Sequence, residues 1–315
     1  MTTPPLPPFR FGVQCSSPPD ITASRWRDLA RKVEDLGYHR LTVSDHLDDQ
    51  LSPVAALMAA ADATSTLRVG ALVFCNDYRH PAVLAKEAAT LDILSEGRFE
   101  LGLGAGWMTS DYEAAGIPMD SPGVRIARLE EAIAVVTGLL SDGPCTFEGE
   151  FYRIDGLSGS PKPVQRPVPL LIGGGGRKVL ELAGRHAQIV GLNPKLPNGV
   201  IDASAGPDAT AAATERKIGW VRAAAGDRFD QIELHTRIHL AMITDDRMTV
   251  AEAVAPAMGL TVEESLQTPH ALCGTVDQIV EDLLVRRERF GIASIGLSLD
   301  ALDAFAPVVA ELAGT

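Results

Sequence analysis

Several features are scarce in this chain of 315 residues, and each scarcity argues against a class of protein. Positive charge is one of them: 28 lysines and arginines face 41 aspartates and glutamates, and the net charge is −13. Such a chain has no basic footprint for nucleic acid and is repelled by an anionic membrane. Cysteine is another, because no two cysteines form a CxxC pair, and neither a zinc site nor a dithiol centre is predicted. The cysteines are Cys15, Cys75, Cys145 and Cys273.

Long apolar runs are also missing. No stretch approaches the roughly 20 apolar residues that span a bilayer. The first residues, MTTPPLPPFR, lack the charged and apolar regions of a signal peptide. We therefore expect a cytoplasmic protein with reduced thiols and a flexible, proline-rich lead-in over residues 1–8.

The chain does contain a regular alternation of apolar, strand-like segments with segments of helical spacing. Hydrophobic residues make up 46% of it, which is enough for a large core. The predicted strands cover residues 9–15, 40–44, 67–74, 98–104, 168–176, 187–193, 231–244 and 293–299. The predicted helices cover residues 22–36, 53–63, 82–94, 123–140, a segment from 177, 209–224, 249–268 and 275–290, with a hairpin at 145–154.

Eight strands separated by helices imply a parallel sheet, and the number eight indicates closure into a (β/α)8 TIM barrel. An open doubly wound sheet is the alternative. Because no low-complexity linker divides the chain, we expect one domain over residues 1–315, with an insertion region at 194–230.

The second predicted strand ends in the sequence TVSDHL, with Asp45 and His46 directly after it. Active residues of such barrels lie at the C-terminal ends of strands, so this pair would stand at the rim of a site. An acid–base pair suits that position. A turn-capping aspartate beside an ordinary loop histidine is an equally good interpretation.

The sequence LIGGGGRK, residues 171–178, follows the fifth predicted strand. Glycine lets a ligand approach the backbone closely, and the N-terminus of the next helix attracts anions. We favour a phosphate site here over a loose turn. The residues concerned are Gly173, Gly174, Gly175, Gly176 and Arg177.

The sequence GLGAGW, residues 102–107, looks like part of a dinucleotide fingerprint. It lacks the last glycine and meets the bulky Trp107, so a Rossmann site is disfavoured. A loop that lines a flat ring or a phosphate tail is the better interpretation. A shared metal on His235 and His239 is excluded, because four residues of a strand separate them by roughly 13 Å; His239 remains a candidate pocket residue.

Taken together, these landmarks resemble the luciferase-like flavin and deazaflavin oxidoreductases, and most of all the branch that uses coenzyme F420. The resemblance covers nearly the whole chain, and the block at residues 79–107 is its most specific part. The motifs are TVSDHL, VGALVF, RHPAVLAKEAATLDILSEGRFELGLGAGW, PLLIGGGGRKVLELAGRHAQIVGL and CGTVDQIVEDL.

The resemblance implies a coenzyme at the C-terminal mouth of the barrel, with Asp45 and His46 beside its reactive ring. It also implies a non-prolyl cis peptide at Ala71-Leu72, forming a bulge behind that ring. Sugar-phosphate dehydrogenases of this branch have an acidic glutamate where this chain has Trp107, so neither their substrate nor their proton donor is assigned to this chain. The implied coenzyme-binding residues are Ala71, Leu72, Gly104, Ala105, Gly106, Trp107, Gly173, Gly174, Gly175, Gly176 and Arg177.

The predicted function is hydride transfer between coenzyme F420 and a small organic substrate, with His46 handling the proton and Asp45 orienting or charge-balancing it. An FMN-dependent monooxygenase of the same superfamily is the alternative, because the phosphate site serves either coenzyme. A barrel that binds a coenzyme or a phosphorylated ligand without turnover is the third possibility. A homodimer is the family expectation.

Overall fold

The computed structural model describes residues 6–16, 21–196 and 202–315. Its strands are short and mostly buried. The first half of the chain contributes β1 (Arg10–Cys15), β2 (Arg40–Val43), β3 (Arg68–Ala71), β4 (Phe74–Cys75), β5 (Phe99–Gly104), β6 (Pro144–Glu148) and β7 (Arg153–Ser158). The second half contributes β8 (Leu170–Gly174), β9 (Ile189–Leu192), β10 (Glu233–Arg237), β11 (Leu240–Ile243), β12 (Ala271–Gly274) and β13 (Ile292–Ser298).

Helices follow most of these strands. They are α1 (Ala23–Asp35), α2 (Pro53–Ala63), α3 (Pro81–Leu94), α4 (Thr109–Ala115), α5 (Pro122–Leu140) and α6 (Arg177–His186) in the first part of the chain. The later ones are α7 (Ala211–Ala225), α8 (Arg247–Met258), α9 (Val262–Gln267), α10 (Val276–Phe290) and α11 (Ala306–Leu312). None of the described helices is long and apolar enough to cross a bilayer.

A closed parallel barrel organises the described residues. Strands β3, β2, β1, β13, β10, β9, β8 and β5 pair in that order, and β3 also pairs with β5, which closes the ring. The predicted (β/α)8 barrel is therefore confirmed. The helices pack their apolar faces on the outside of the ring, where one continuous core includes Val13, Leu41 and Val69.

Local sequence signals account for the helix boundaries. Proline occupies the first turn of α2, α3 and α5, where its missing N–H costs no hydrogen bond. The predicted capping box of α10 is present, since Thr275 and Gln278 bond each other's backbone N–H groups. The predicted hairpin is the antiparallel pair β6–β7.

Three predicted elements are divided in the structure, and the first is the strand expected over 67–74, which forms β3 and β4. The seventh strand, expected over 231–244, is divided: β10 belongs to the barrel, whereas β11 pairs with β12 in a separate two-stranded sheet. The helix expected over 249–268 is also divided into α8 and α9, because Gly259 adopts a left-handed conformation that ends α8. The sequence interpretation missed β12, α4 and α11.

A network of charges fills the N-terminal end of the barrel. Arg40, which is 2% exposed, contacts Glu100 at 3.0 Å and Glu233 at 2.8 Å. Burial alone would raise the pKa of Glu233, but Arg40, Arg10 and a hydrogen bond with Ser294 together outweigh burial and lower that pKa to about 2. Because these charges close this end of the barrel, the chemistry is left to the opposite, C-terminal mouth.

Candidate functional site

Asp45 and His46 follow β2 at the C-terminal mouth, but they have different partners. The Asp45 side chain is 4% exposed and accepts two hydrogen bonds from Arg79, at 2.7 and 3.0 Å. It also accepts one from the backbone N–H of Cys75 at 2.9 Å. Asp45 therefore ties the end of β2 to the segment after β4, and its contacts do not include His46.

His46 contacts the carboxylate of Asp111 instead. The distance from Nδ1 to Oδ2 is 2.7 Å, and the imidazole is 20% exposed. The imidazole and the Trp107 ring are nearly perpendicular, with ring centroids 5.5 Å apart and planes at 88°. The expected partner of His46 was Asp45, and the structure gives Asp111 that place. The aromatic wall expected of Trp107 stands directly against the imidazole.

Asp111 lies in the first turn of α4, within the loop that follows β5. Its oxygens also accept hydrogen bonds from the Tyr78 hydroxyl at 3.1 Å and from the Leu47 N–H at 3.4 Å. Sequence reasoning missed this residue because α4 was not predicted. A signal was present, since the alanines of TSDYEAAG favour a helix and Gly116 ends it in a left-handed conformation.

A second buried cluster shapes the loop at Gly106. The Tyr112 hydroxyl donates to Asp77 at 2.9 Å, and Arg128 contacts the same carboxylate at 2.8 Å. Gly106 has a φ of +79°, and a Cβ there would lie 1.8 Å from the Tyr112 hydroxyl. Burial raises the pKa of the neighbouring Cys75 thiol to about 11, which keeps it protonated and unsuited to nucleophilic chemistry.

A non-prolyl cis peptide lies in the mouth, at Leu72-Val73 and not at Ala71-Leu72 as expected. The strand pairing explains the shift of one residue. Ala71 still pairs with Val43, and the Leu72 N–H still donates to the Val43 carbonyl, so the chain leaves the ladder only after Leu72. Ala71 is thus a buried strand residue, whereas the bulge is formed by Leu72 and Val73.

Glycines on the neighbouring strand make room for this bulge. A Cβ at Gly104 would lie 2.5 Å from Val73 Cγ2, and one at Gly102 would lie 1.9 Å from the Ala71 carbonyl oxygen. The Val73 side chain therefore occupies space that side chains on β5 would otherwise fill. Next to it, Gln14 Nε2 donates to the Leu72 carbonyl at 3.3 Å, while Gln14 Oε1 is buried without a partner among the described residues.

The four glycines before α6 differ in how much space surrounds the position of a Cβ atom. A Cβ at Gly174 would lie 2.4 Å from Val179, and one at Gly175 would lie 2.5 Å from the Lys195 nitrogen. Those two are required by the fold itself. Gly176, the residue before α6, has open space around its would-be Cβ, whereas a Cβ at Gly173 would make ordinary van der Waals contacts with Val73 and Asn193. Close approach of a ligand is thus possible at Gly176.

Arg177 lies at the surface beside this loop. Its side chain is 68% exposed, and its guanidinium pairs with Glu181 one turn later, at 2.7 Å. The first N–H groups of α6 have no intrahelical partners, as at every helix start. The predicted phosphate site therefore consists of an accessible helix N-terminus with a long basic side chain at its edge.

Arg237 is a mouth residue that the sequence interpretation did not single out. It continues the inward-facing series of β10, Glu233 and His235, and β10 lies across the ring from β3. Its guanidinium donates to Ser298 at 3.0 Å, and burial lowers its pKa. His239, the expected pocket residue, lies beyond the end of β10, where its N–H donates to the carbonyl of His270.

The fold and this mouth define a barrel with an imidazole, an aromatic wall and a cis-peptide bulge at the ends of its strands. Residues 7–294 match the family described as luciferase-like monooxygenase. The chain belongs to that family.

The similar curated proteins include both F420-dependent and FMNH2-dependent enzymes. The chain is 34% identical over 189 residues to an F420-dependent glucose-6-phosphate dehydrogenase of Nakamurella multipartita, covering 58% of this chain and 55% of that protein. It is also 34% identical over 165 residues to an FMNH2-dependent dimethylsulfone monooxygenase of Pseudomonas fluorescens, covering 50% of this chain and 45% of that protein. The chain thus spans about half the length of the curated relatives it matches.

A solved structure agrees with the fold. The coenzyme F420-dependent tetrahydromethanopterin reductase of Methanopyrus kandleri superposes with a TM-score of 0.77 over 97% of this chain and all of that one. Their sequences are 19% identical, so the likeness concerns the barrel alone.

Proposed function

We propose that this protein is an oxidoreductase that transfers a hydride between coenzyme F420 and a small organic substrate. The observation that carries the proposal is the placement of His46 at the mouth, held by Asp111 and walled by Trp107. A site that only binds a coenzyme has no need of an imidazole fixed by a buried carboxylate. The F420-dependent dehydrogenase among the relatives supports the choice of coenzyme.

The residues of the mouth fit a flat, polar ring with a phosphate-bearing tail. Gln14 Oε1 is a buried acceptor without a partner in the part of the chain that the structure describes, which suits a ring N–H. The Leu72-Val73 bulge offers an apolar surface beside it. At the other end, the α6 N-terminus and the open space at Gly176 suit a phosphate.

Each group then has a defined task. A bound deazaflavin supplies the ring carbon that accepts or gives the hydride. His46 takes up or returns the proton that accompanies this hydride at the substrate, because a neutral imidazole accepts a proton and the imidazolium so formed can give it back. Trp107 limits the access of water to the imidazole from one side. Asp45 maintains the loop through Arg79 and is a positioning residue in this scheme.

An FMN-dependent monooxygenase is the second candidate. The dimethylsulfone monooxygenase is as similar in identity as the dehydrogenase, and an open helix N-terminus accepts the phosphate of either coenzyme. A barrel that binds a coenzyme without turnover is the third, and the kinetic tests of His46 address it.

Coenzyme choice is the first test. We expect the purified protein to bind coenzyme F420 more tightly than FMN when both are titrated and followed by fluorescence quenching and calorimetry. Micromolar binding of FMN with no binding of F420 would reject F420 as the coenzyme and favour the FMN-dependent monooxygenase.

The phosphate site is tested separately at Gly176. Its φ of −86° suits any residue, so Gly176→Val fits the fold while filling the space in front of α6. We expect at least tenfold weaker coenzyme binding, about 1.4 kcal/mol. Gly219→Val, in α7 with similarly open surroundings, is the matched control. Equal affinities for the two folded variants would remove the α6 N-terminus from the site.

A further inference from the structure

The buried carboxylate behind His46 determines more than the position of the ring. Asp111 is 4% exposed and accepts hydrogen bonds from the Tyr78 hydroxyl and the Leu47 N–H. A backbone N–H can only donate, and an ionised carboxylate can only accept. The short contact of Asp111 with His46 Nδ1 is therefore satisfied when that nitrogen carries the hydrogen.

We propose that Asp111 is a positioning residue that fixes His46 as the Nδ1–H tautomer and leaves Nε2 as the atom that exchanges protons with the substrate. Nε2 has no hydrogen-bond partner among the described residues and is not among their fully buried polar atoms. Its lone pair is then free for a group in the mouth. The tautomer of His46 is a property of the coenzyme-free protein, and only its effect on turnover rests on the proposed function.

Neighbouring carboxylates cannot replace Asp111 in this role. Asp45 is held by Arg79 and the Cys75 N–H, and Asp77 is held by Arg128 and Tyr112. Each is tied to a different element of the mouth. A variant at Asp111 therefore removes the carboxylate that contacts the imidazole, and variants at the other two do not.

The direct test is nitrogen NMR of the histidine side chains in the coenzyme-free protein, at about pH 8.5, where ordinary imidazoles are neutral. Long-range proton–nitrogen spectra distinguish the two tautomers, and the signals missing in His46→Ala identify His46. We expect the Nδ1–H form in the wild-type protein. In Asp111→Asn the amide nitrogen can donate to Nδ1, so the Nε2–H form should become the major one.

Two controls separate this effect from a general disturbance of the loop. Asp77→Asn alters a buried carboxylate of the same region that does not contact His46, and it should leave the His46 tautomer unchanged. Tyr78→Phe removes one donor to Asp111 but keeps the carboxylate, and the Nδ1–H form should persist. A wild-type protein with His46 in the Nε2–H form would overturn the proposal even if Asp111→Asn did not fold.

The kinetic test is a double-mutant cycle. If Asp111 acts through His46, Asp111→Asn should lower kcat at least tenfold and leave coenzyme affinity within about threefold. The same substitution should have no further effect on kcat in the His46→Ala background. Additive losses would show that Asp111 acts on its own. An inactive wild-type protein with the expected tautomer would reject the proposed function and keep the assignment of Asp111.

Discussion

Replacement of His46 by alanine is expected to lower turnover by about a hundred- to ten-thousandfold. This is the usual contribution of a positioned acid–base group. Coenzyme affinity should change little, because the phosphate site lies on a different loop, before α6. The measurement is kcat with a panel of F420-linked substrates and acceptors, together with the dissociation constant of the coenzyme.

The same variant carries a cost in stability that the structure makes visible. Without His46, Asp111 keeps two hydrogen-bond donors among the described residues, the Tyr78 hydroxyl and the Leu47 N–H, so the free energy of unfolding should fall by about 1–2 kcal/mol. His46→Asn is the companion variant, because its amide can still donate to Asp111 but cannot transfer a proton. If both variants turned over at the wild-type rate, His46 would be an ordinary loop histidine.

The barrel itself was predictable because it depends on patterns that repeat eight times. Buried strands such as β2 and β13 are short apolar runs, and the neighbouring helices have clear start signals: proline begins α2 after β2, and a capping box begins α10 before β13. An error of one or two residues at a boundary does not change the count of strands. The (β/α)8 architecture was therefore secure even where single elements were misplaced.

The strand predicted over residues 231–244 shows where such patterns fail. Residues 233–243 form one continuous strand-like run without glycine or proline, so nothing local marks the end of β10. The Ile238 N–H still donates to the Gly296 carbonyl in the barrel, whereas the His239 N–H donates to the carbonyl of His270, the residue before β12. A change of partner strand depends on distant residues, so the local pattern could not reveal it.

The site shows the same limit. The sequence placed His46, Trp107 and the glycines before α6 at the mouth, but it could not pair His46 with Asp111, which lies 65 residues further along the chain. It also could not separate Gly174 and Gly175, whose reasons are internal packing, from Gly176, which faces open space. Contacts between loops of different strands are set by the closed barrel.

Asp45 and His46 are adjacent in the chain, yet opposite results are expected from them. Asp45→Ala removes the bidentate partner of Arg79 and an acceptor for the Cys75 N–H. A one-sided loss of a buried ion pair leaves an uncompensated charge. Arg79 is 19% exposed and has Glu87 at 3.9 Å, so we expect a loss of about 2–3 kcal/mol in the free energy of unfolding.

Urea denaturation of three variants decides the role of Asp45. Asp49→Ala, at an exposed carboxylate in the same loop, should change stability by no more than about 0.5 kcal/mol. The double variant Asp45→Ala/Arg79→Met should regain part of the loss, because the unpaired charge is removed with its partner. Full stability of Asp45→Ala, combined with a loss of turnover as large as that of His46→Ala, would instead place Asp45 in the chemistry. The buried ion pair with Arg79 supports a structural role for Asp45 in the loop, so the proposed proton transfer is assigned to His46 alone.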